Sequence, residues 1–139
     1  MLDEAHDLRP ESLAMLRLLT NFEMDSRLVL SVIVAGQPPL HAVLGRPDQV
    51  AMAQLAHYAT LRLLSRDETR AYVSHRCALA GAHADPFDPD AHEAIFELSH
   101  GNLRAIDHLA LKSLERAAQS GASAVCAGEV IATRKVLAP

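Results

Sequence analysis

The chain has 139 residues, of which 50% are hydrophobic and 22% are charged, so it can bury a core and is not a disordered segment. Its net charge of −4 argues against an overall affinity for nucleic acids or membrane surfaces, because both attract a basic surface. Tryptophan is absent and aromatic residues make up 4% of the chain, so the core rests on aliphatic side chains, which favour helices.

The cysteines and the chain start bear on the compartment. Cys77 and Cys126 lack the C-x-x-C spacing of a zinc site and do not form a disulfide framework. No basic region followed by an apolar run begins the chain, and no stretch approaches the roughly 20 apolar residues that span a bilayer. These features predict a cytoplasmic protein.

The first elements in chain order predict an α/β region. Met1 and Leu2 form an apolar stub before two carboxylates, which is typical of the last step of a strand. Pro10 suits the first turn of a helix, and apolar residues then recur at helical spacing to about residue 23.

A second set of elements extends this region to residue 64. Residues 28–35 are an apolar, β-branched run closed by a glycine and two prolines, which predicts a strand buried on both faces. Short helices are expected over residues 40–44 and 49–56, with a turn between them. Residues 58–63 predict a further short strand.

The rest of the chain, residues 65–139, predicts helices only. Ser65 and Glu68 have the spacing of a capping box, which starts a helix that runs to about residue 80. Asp88-Pro89 opens the next helix, to about residue 100, and Gly101-Asn102 separates it from a helix over residues 103–120. A last short helix is expected near residues 129–136.

Asp3 and Glu4 are the first residues that could carry chemistry. Two carboxylates at the end of a buried strand are costly unless their charge is used. In nucleotide hydrolases the aspartate holds Mg²⁺, and the glutamate orients or polarises the water that attacks the γ-phosphate. Taken alone, Asp3-Glu4-Ala5-His6 fits a capped helix start better, so its interpretation depends on the rest of the chain.

Gln37 and Arg104 are the other candidates. Gln37 follows the predicted strand of residues 28–35, where a polar amide can contact a phosphate or its attacking water. Arg104 lies in the first turn of a predicted helix, where free backbone amides already favour an anion and guanidinium adds a bidentate contact. Viewed singly, each fits a plainer alternative: a polar turn residue for Gln37 and a solvated helix surface for Arg104.

Four sequence blocks, taken together and in order, resemble the AAA ATPases of the ExeA and TniB/TnsC type, which serve bacterial secretion-pathway assembly and transposition. The blocks are L-D-E-A-H-D-L at residues 2–8, V-I-V-A-G-Q-P at 32–38, L-S-R-D-E-T at 64–69 and G-N-L-R-A-I at 101–106. The resemblance covers nearly the whole chain, and its specificity lies in the order of the blocks.

The resemblance implies both a fold and a site. Residues 1–64 would be the C-terminal part of an α/β nucleotide-binding subdomain, a remnant of a P-loop NTPase sheet with its Walker B end and sensor 1 strand. Residues 65–139 would be a helical lid. Asp3 would bind Mg²⁺ and Glu4 would be catalytic, as the Walker B pair. Gln37 matches the sensor 1 position and Arg104 the sensor 2 arginine, and both would contact ATP.

The chain departs from the family pattern in two ways. The phosphate-binding loop G-x-x-x-x-G-K-[ST] does not occur in these residues, so no cradle and no lysine meet the β- and γ-phosphates. Ala53-Gln54-Leu55-Ala56 also lacks the Gln-Arg pair that would supply an arginine finger to a neighbouring subunit. We therefore expect part of an ATPase, from a truncation, an internal start or a longer reading frame, that is inactive alone.

Two functions follow from this sequence. The leading prediction is the C-terminal portion of an AAA ATPase whose ATP hydrolysis drives assembly in secretion or transposition, with a homo-oligomer or AAA partner subunits in the intact protein. The alternative is a non-catalytic interaction module, in which residues 65–139 dock to AAA subunits or transposition proteins. DNA is a further partner that the transposition version implies.

Three other motifs fit the sequence less well. Asp-Glu-Ala-His also marks a class of helicases, but the Ser-Ala-Thr and arginine-rich motifs of those proteins are absent. His92-Glu93 begins an H-E-x-x-H pattern, yet Phe96 occupies the place of the second histidine. The acidic residues near position 88 lack the glycine and ligand spacing of a calcium loop, so helix capping explains them.

Overall fold

A computed structural model of the chain describes residues 1–20 and 30–137. The chain divides into two compact units, Met1–Ala59 and Thr60–Pro139, called unit 1 and unit 2. The described residues form seven α-helices: α1 Pro10–Thr20, α2 Pro39–Leu44, α3 Val50–Leu55, α4 Arg66–Leu79, α5 Pro89–Ser99, α6 Leu103–Ser120 and α7 Ala127–Leu137. The assignment of residues 1–64 to a nucleotide-binding subdomain and of residues 65–139 to a lid stays a prediction.

The described residues of unit 1 form three helices and two 3-10 turns. The helix predicted from Pro10 is α1, and its predicted end near residue 23 lies outside the described residues. The turns are Ala5–Asp7 and Pro47–Gln49. A small core holds the unit together, and its buried apolar members are Ala5, Leu13, Leu40 and Leu44.

The predicted α/β sheet is wrong, because the described residues contain no strand and no sheet. Of the predicted strand at residues 28–35, the part from residue 30 makes one isolated parallel bridge, between Leu2 and Val34. A parallel ladder is stabilised by bonds between several consecutive residues on both segments. Among the described residues the pairing amounts to one bridge, and the backbone bends away from it at Glu4.

The second predicted strand, at residues 58–63, is also wrong. Residues 56–65 have no regular secondary structure, and no backbone hydrogen bond joins residues 58–63 to another described residue. Leu61 is 98% exposed, and Tyr58 and Leu63 are also exposed, so the large side chains of this segment gain little burial that would hold an extended conformation. An apolar pattern alone does not form a strand when no other segment pairs with it.

Unit 2 carries the helices that the sequence predicts, and three of the four begin at the expected cap. Glu68 donates its backbone amide to Ser65 Oγ at 3.4 Å, and its side chain accepts the Ser65 amide at 2.8 Å, which confirms the capping box. Asp88 caps α5 through the Ala91 amide at 2.7 Å. Asn102 caps α6 in the same way, at 3.1 Å.

The four helices of unit 2 share one apolar core. Its buried members come from every helix and from the loops before α5 and α7, and they are Val73, Phe87, Ala91, Ile95, Ile106, Leu109, Ala117, Val125 and Val130. Burial of this kind stabilises a helix more than its intrinsic propensity does. Unit 2 therefore owes its order to packing between its own helices.

None of the helices in the described part of the chain is long and apolar enough to cross a membrane. The cytoplasmic location expected from the sequence stays a prediction.

Candidate functional site

The Leu2–Val34 bridge fixes the register between two loops of unit 1. Leu2 donates its amide to the Ile33 carbonyl at 2.8 Å and accepts the Ala35 amide at 2.8 Å. One step further, the Ala5 amide donates to the Ala35 carbonyl at 2.9 Å. These bonds hold the loop of Asp3 and Glu4 against the loop that leads to Gln37.

The acidic pair lies at the bend of the first loop. Asp3 and Glu4 are both exposed, and Asp3 Oδ1 accepts the Glu4 backbone amide at 2.9 Å. Glu4 has φ 52° and ψ 33°, a left-handed conformation that costs a residue with a side chain about 1 kcal/mol or more. Because such strain persists where the surroundings impose it, this residue is a functional candidate on structural grounds as well.

His6 lies between the two loops, although no sequence motif pointed to a role for it. Its side chain is 14% exposed, and its Nδ1 accepts the Gln37 backbone amide at 3.3 Å. The same Nδ1 lies 3.5 Å from Glu4 Oε2, while Nε2 lies 3.8 Å from Asp7 Oδ1. One imidazole therefore contacts both the acidic loop and the Gln37 loop.

Gly36 allows this close approach. A Cβ at Gly36 would lie 3.1 Å from the His6 backbone nitrogen and 3.3 Å from its Nδ1, closer than side-chain atoms ordinarily pack. The adjacent Gln37 is exposed, and its carbonyl accepts the Leu40 amide at 2.9 Å, at the start of α2. The structure thus brings Asp3, Glu4 and Gln37 into one region of unit 1.

Arg104 belongs to unit 2. It is the second residue of α6, it is exposed, and the helix start beside it is capped by Asn102. This placement agrees with the helix expected there, and the role of Arg104 toward a nucleotide stays a prediction.

The acidic pair can be tested against the chemistry of Mg²⁺ and ATP. Carboxylate oxygens are the protein ligands that Mg²⁺ prefers, and both carboxylates are exposed. Within the described ranges no cluster of three or more His, Cys, Asp or Glu side chains could hold a metal ion on its own. Asp3 and Glu4 therefore fit a Mg²⁺ ion held mainly by phosphates and water, as in nucleotide sites. Asp3 and Glu4 fit the part of a nucleotide site that holds the metal ion, but they do not supply the loop that binds the phosphates.

A second polar cluster, in unit 2, has a structural character. The Asp85 carboxylate accepts hydrogen bonds from the Ser74 hydroxyl, the Phe87 amide and His92 Nε2. Burial alone raises the pKa of Asp85, but these hydrogen bonds outweigh it and hold the pKa below its usual value. Burial and the Asp85 charge raise the pKa of the nearby Cys77 thiol, which makes it a poor nucleophile.

Comparisons with known proteins point to one class. No protein-family model and no solved structure matches the chain. A General secretion pathway protein A of Aeromonas hydrophila is 36% identical over 132 residues, which cover 94% of this chain. The chain spans 24% of that relative. This similarity supports the resemblance to ATPases of the ExeA type. It does not support the resemblance to the transposition proteins.

Proposed function

We propose that the chain is the C-terminal part of an AAA-type ATPase module of the secretion-pathway A kind. Asp3, Glu4 and Gln37 form the metal-and-water side of its nucleotide site. The observation that carries this proposal is the Leu2–Val34 register, which sets the acidic pair beside the Gln37 loop. Adjacent parallel segments place the groups at their carboxyl ends on the same side of a nucleotide.

Each residue has a role that its position allows. Mg²⁺, when bound with ATP, neutralises charge on the phosphate oxygens. Asp3 would hold the metal, directly or through water, and Glu4 would orient the attacking water. Gln37 would contact the γ-phosphate or that water from the second loop. For Arg104, in the first turn of α6, the sequence resemblance implies a contact with a phosphate.

The phosphate cradle has to come from residues outside this sequence. The relative is a longer protein that this chain matches over 24% of its length, and its name places it in the general secretion pathway. We infer a homo-oligomer or a set of AAA subunits in which ATP hydrolysis drives assembly in secretion. No contact among the described residues favours the alternative of a separate interaction module.

A hybrid protein tests the proposal. In it, the residues of this chain replace the matching stretch of the Aeromonas hydrophila protein. The hybrid is expected to hydrolyse ATP in the presence of Mg²⁺, as the unmodified relative should, and a deletion of the same stretch should not. A hybrid that folds and binds ATP but does not turn it over would contradict the proposal.

The isolated chain should show no ATP hydrolysis, because these residues lack a phosphate-binding loop and its lysine. A sensitive phosphate-release assay with and without Mg²⁺ measures this. The proposal would be contradicted by Mg²⁺-dependent hydrolysis that the isolated chain shows and that disappears on Glu4→Gln. That result would mean that this chain binds the phosphates without residues from outside its sequence.

A further inference from the structure

We propose that His6 is a positioning residue that couples the catalytic carboxylate Glu4 to the Gln37 loop. The inference rests on the proposed function for its consequence, and on contacts within unit 1 for its geometry. His6 does not touch the reacting atoms in this scheme. It holds the Gln37 loop in place and thereby leaves the Glu4 carboxylate open to water.

Nδ1 of His6 lies between two possible hydrogen-bond partners. This atom lies 3.3 Å from a donor, the Gln37 amide, and 3.5 Å from an acceptor, Glu4 Oε2. A ring nitrogen either accepts through its lone pair or donates through its hydrogen, so it serves one of these neighbours at a time. The Gln37 amide takes the lone pair, which leaves the ring hydrogen on Nε2, on the side of Asp7.

The ring cannot easily leave this place. Its side chain is 14% exposed, and the backbone of Gly36 lies so close that a Cβ there would sit 3.3 Å from Nδ1. The preceding residue, Ala5, is fully buried and bonded to the Ala35 carbonyl at 2.9 Å. The imidazole is therefore held between the two loops from both sides.

This arrangement links the Gln37 loop to the availability of Glu4. While Nδ1 accepts the Gln37 amide, it offers no hydrogen to Glu4, whose oxygens stay open to water. If the Gln37 loop withdrew, the ring could move its hydrogen to Nδ1 and donate it to Glu4 Oε2, occupying the carboxylate. The hydrogen bond between the Gln37 amide and His6 thus keeps the Glu4 carboxylate free to orient water.

The full 139-residue chain allows a test that does not depend on hydrolysis. Nitrogen-15 NMR should show the His6 ring with its hydrogen on Nε2 and Nδ1 as an acceptor. His6→Leu removes the acceptor, and the Gln37 amide should exchange with solvent about fivefold to tenfold faster, the effect of losing one hydrogen bond. His6→Asn places an oxygen near the position of Nδ1 and should restore protection. His57→Leu, at an exposed histidine of the same unit, is the matched control and should leave the Gln37 amide unchanged.

Two results would overturn the inference. One is a wild-type ring with its hydrogen on Nδ1, which is measured even if a variant fails to fold. The other is a folded His6→Leu chain, checked by circular dichroism, whose Gln37 amide exchanges at the wild-type rate.

The hybrid protein tests the effect of His6 on ATP hydrolysis. His6→Leu should lower kcat about tenfold or more with the KM for ATP nearly unchanged, because orientation and not binding is lost. His6→Asn should recover most of the rate, whereas equal losses in both variants would contradict a positioning role. An unsubstituted hybrid without turnover would contradict the proposed function and leave the NMR result to decide the His6 contact.

Discussion

Gly101, between α5 and α6, shows how a single residue can decide local packing. It has φ +77°, and a Cβ on it would lie 2.0 Å from the Leu64 carbonyl oxygen. Leu64 donates its amide to the Gly101 carbonyl at 2.9 Å, so the two backbones touch. The family-like block that begins at Gly101 therefore contains a glycine that the backbone requires.

Gly101→Ala is expected to lower the free energy of unfolding by about 2 kcal/mol or more, through a strained φ and a steric clash together. Gly121→Ala is the matched control, since Gly121 has φ +68° with nothing within 4 Å of its Cβ position. The control should cost about 1 kcal/mol, from strain alone. Urea unfolding followed by circular dichroism measures both. Equal losses would show that the contact with Leu64 has no effect.

Glu68 gives the chain a pH-dependent contribution to stability. Its hydrogen bond with Arg62, and then its bond to the Ser65 amide, lower its pKa from 4.5 to about 2. Between these values the unfolded chain binds the proton and the folded chain does not, so stability falls as the pH is lowered through this window. The contribution is complete above about pH 4.5.

Glu68→Gln should flatten the dependence of unfolding free energy on pH between 4.5 and about 2. Denaturant titrations of both proteins at several pH values across this window test the effect. Asp67→Asn changes a carboxylate in the same helical turn and is the control. If the control flattens the profile as much as Glu68→Gln, the Arg62 pair is not the cause.

Residues that act locally could be predicted from the sequence, and those that act across the chain could not. The caps at Ser65, Asp88 and Asn102 depend on neighbours three positions away, and the structure confirms all three. The His6 contact with Gln37 joins positions 31 residues apart. Its only signals were a histidine after an acidic pair and a glycine before Gln37, and neither indicates a contact by itself.

At the scale of elements, helices were predicted well because their hydrogen bonds lie within the segment. In α6, the apolar residues at helical spacing form the buried face, with Ile106 fully buried. The predicted strands failed because a strand needs a partner elsewhere in the chain. Residues 58–63 find none among the described residues, and residue 34 pairs with Leu2 alone.

Ile106→Ala tests the packing of α6 into the core of unit 2. It should lower the free energy of unfolding by about 2 to 5 kcal/mol, because it removes buried methyl groups and leaves a cavity. Leu111→Ala, at a residue of the same helix that is 55% exposed, should cost less than about 1 kcal/mol. Thermal or urea unfolding compares the two. A similar loss for both would mean that the buried face of α6 is assigned wrongly.

At the scale of the whole molecule, the chain is two units with separate cores. The candidate site lies in unit 1, where the sequence predicted Asp3, Glu4 and Gln37 and the structure sets their loops side by side. The sheet that would place such loops in an AAA module is not formed by the described residues. Sequence order was enough to propose these residues, whereas the fold around them depends on contacts between segments far apart in the chain, which local patterns do not reveal.

In the proposed site, Glu4 acts on the water that attacks ATP. The most direct measurement is ATP turnover by the hybrid protein with Glu4→Gln, alongside Glu11→Gln, an exposed carboxylate on α1. We predict that Glu4→Gln lowers kcat about 100-fold or more while ATP still binds, and that Glu11→Gln has no effect. Full turnover in the Glu4→Gln hybrid would contradict the account.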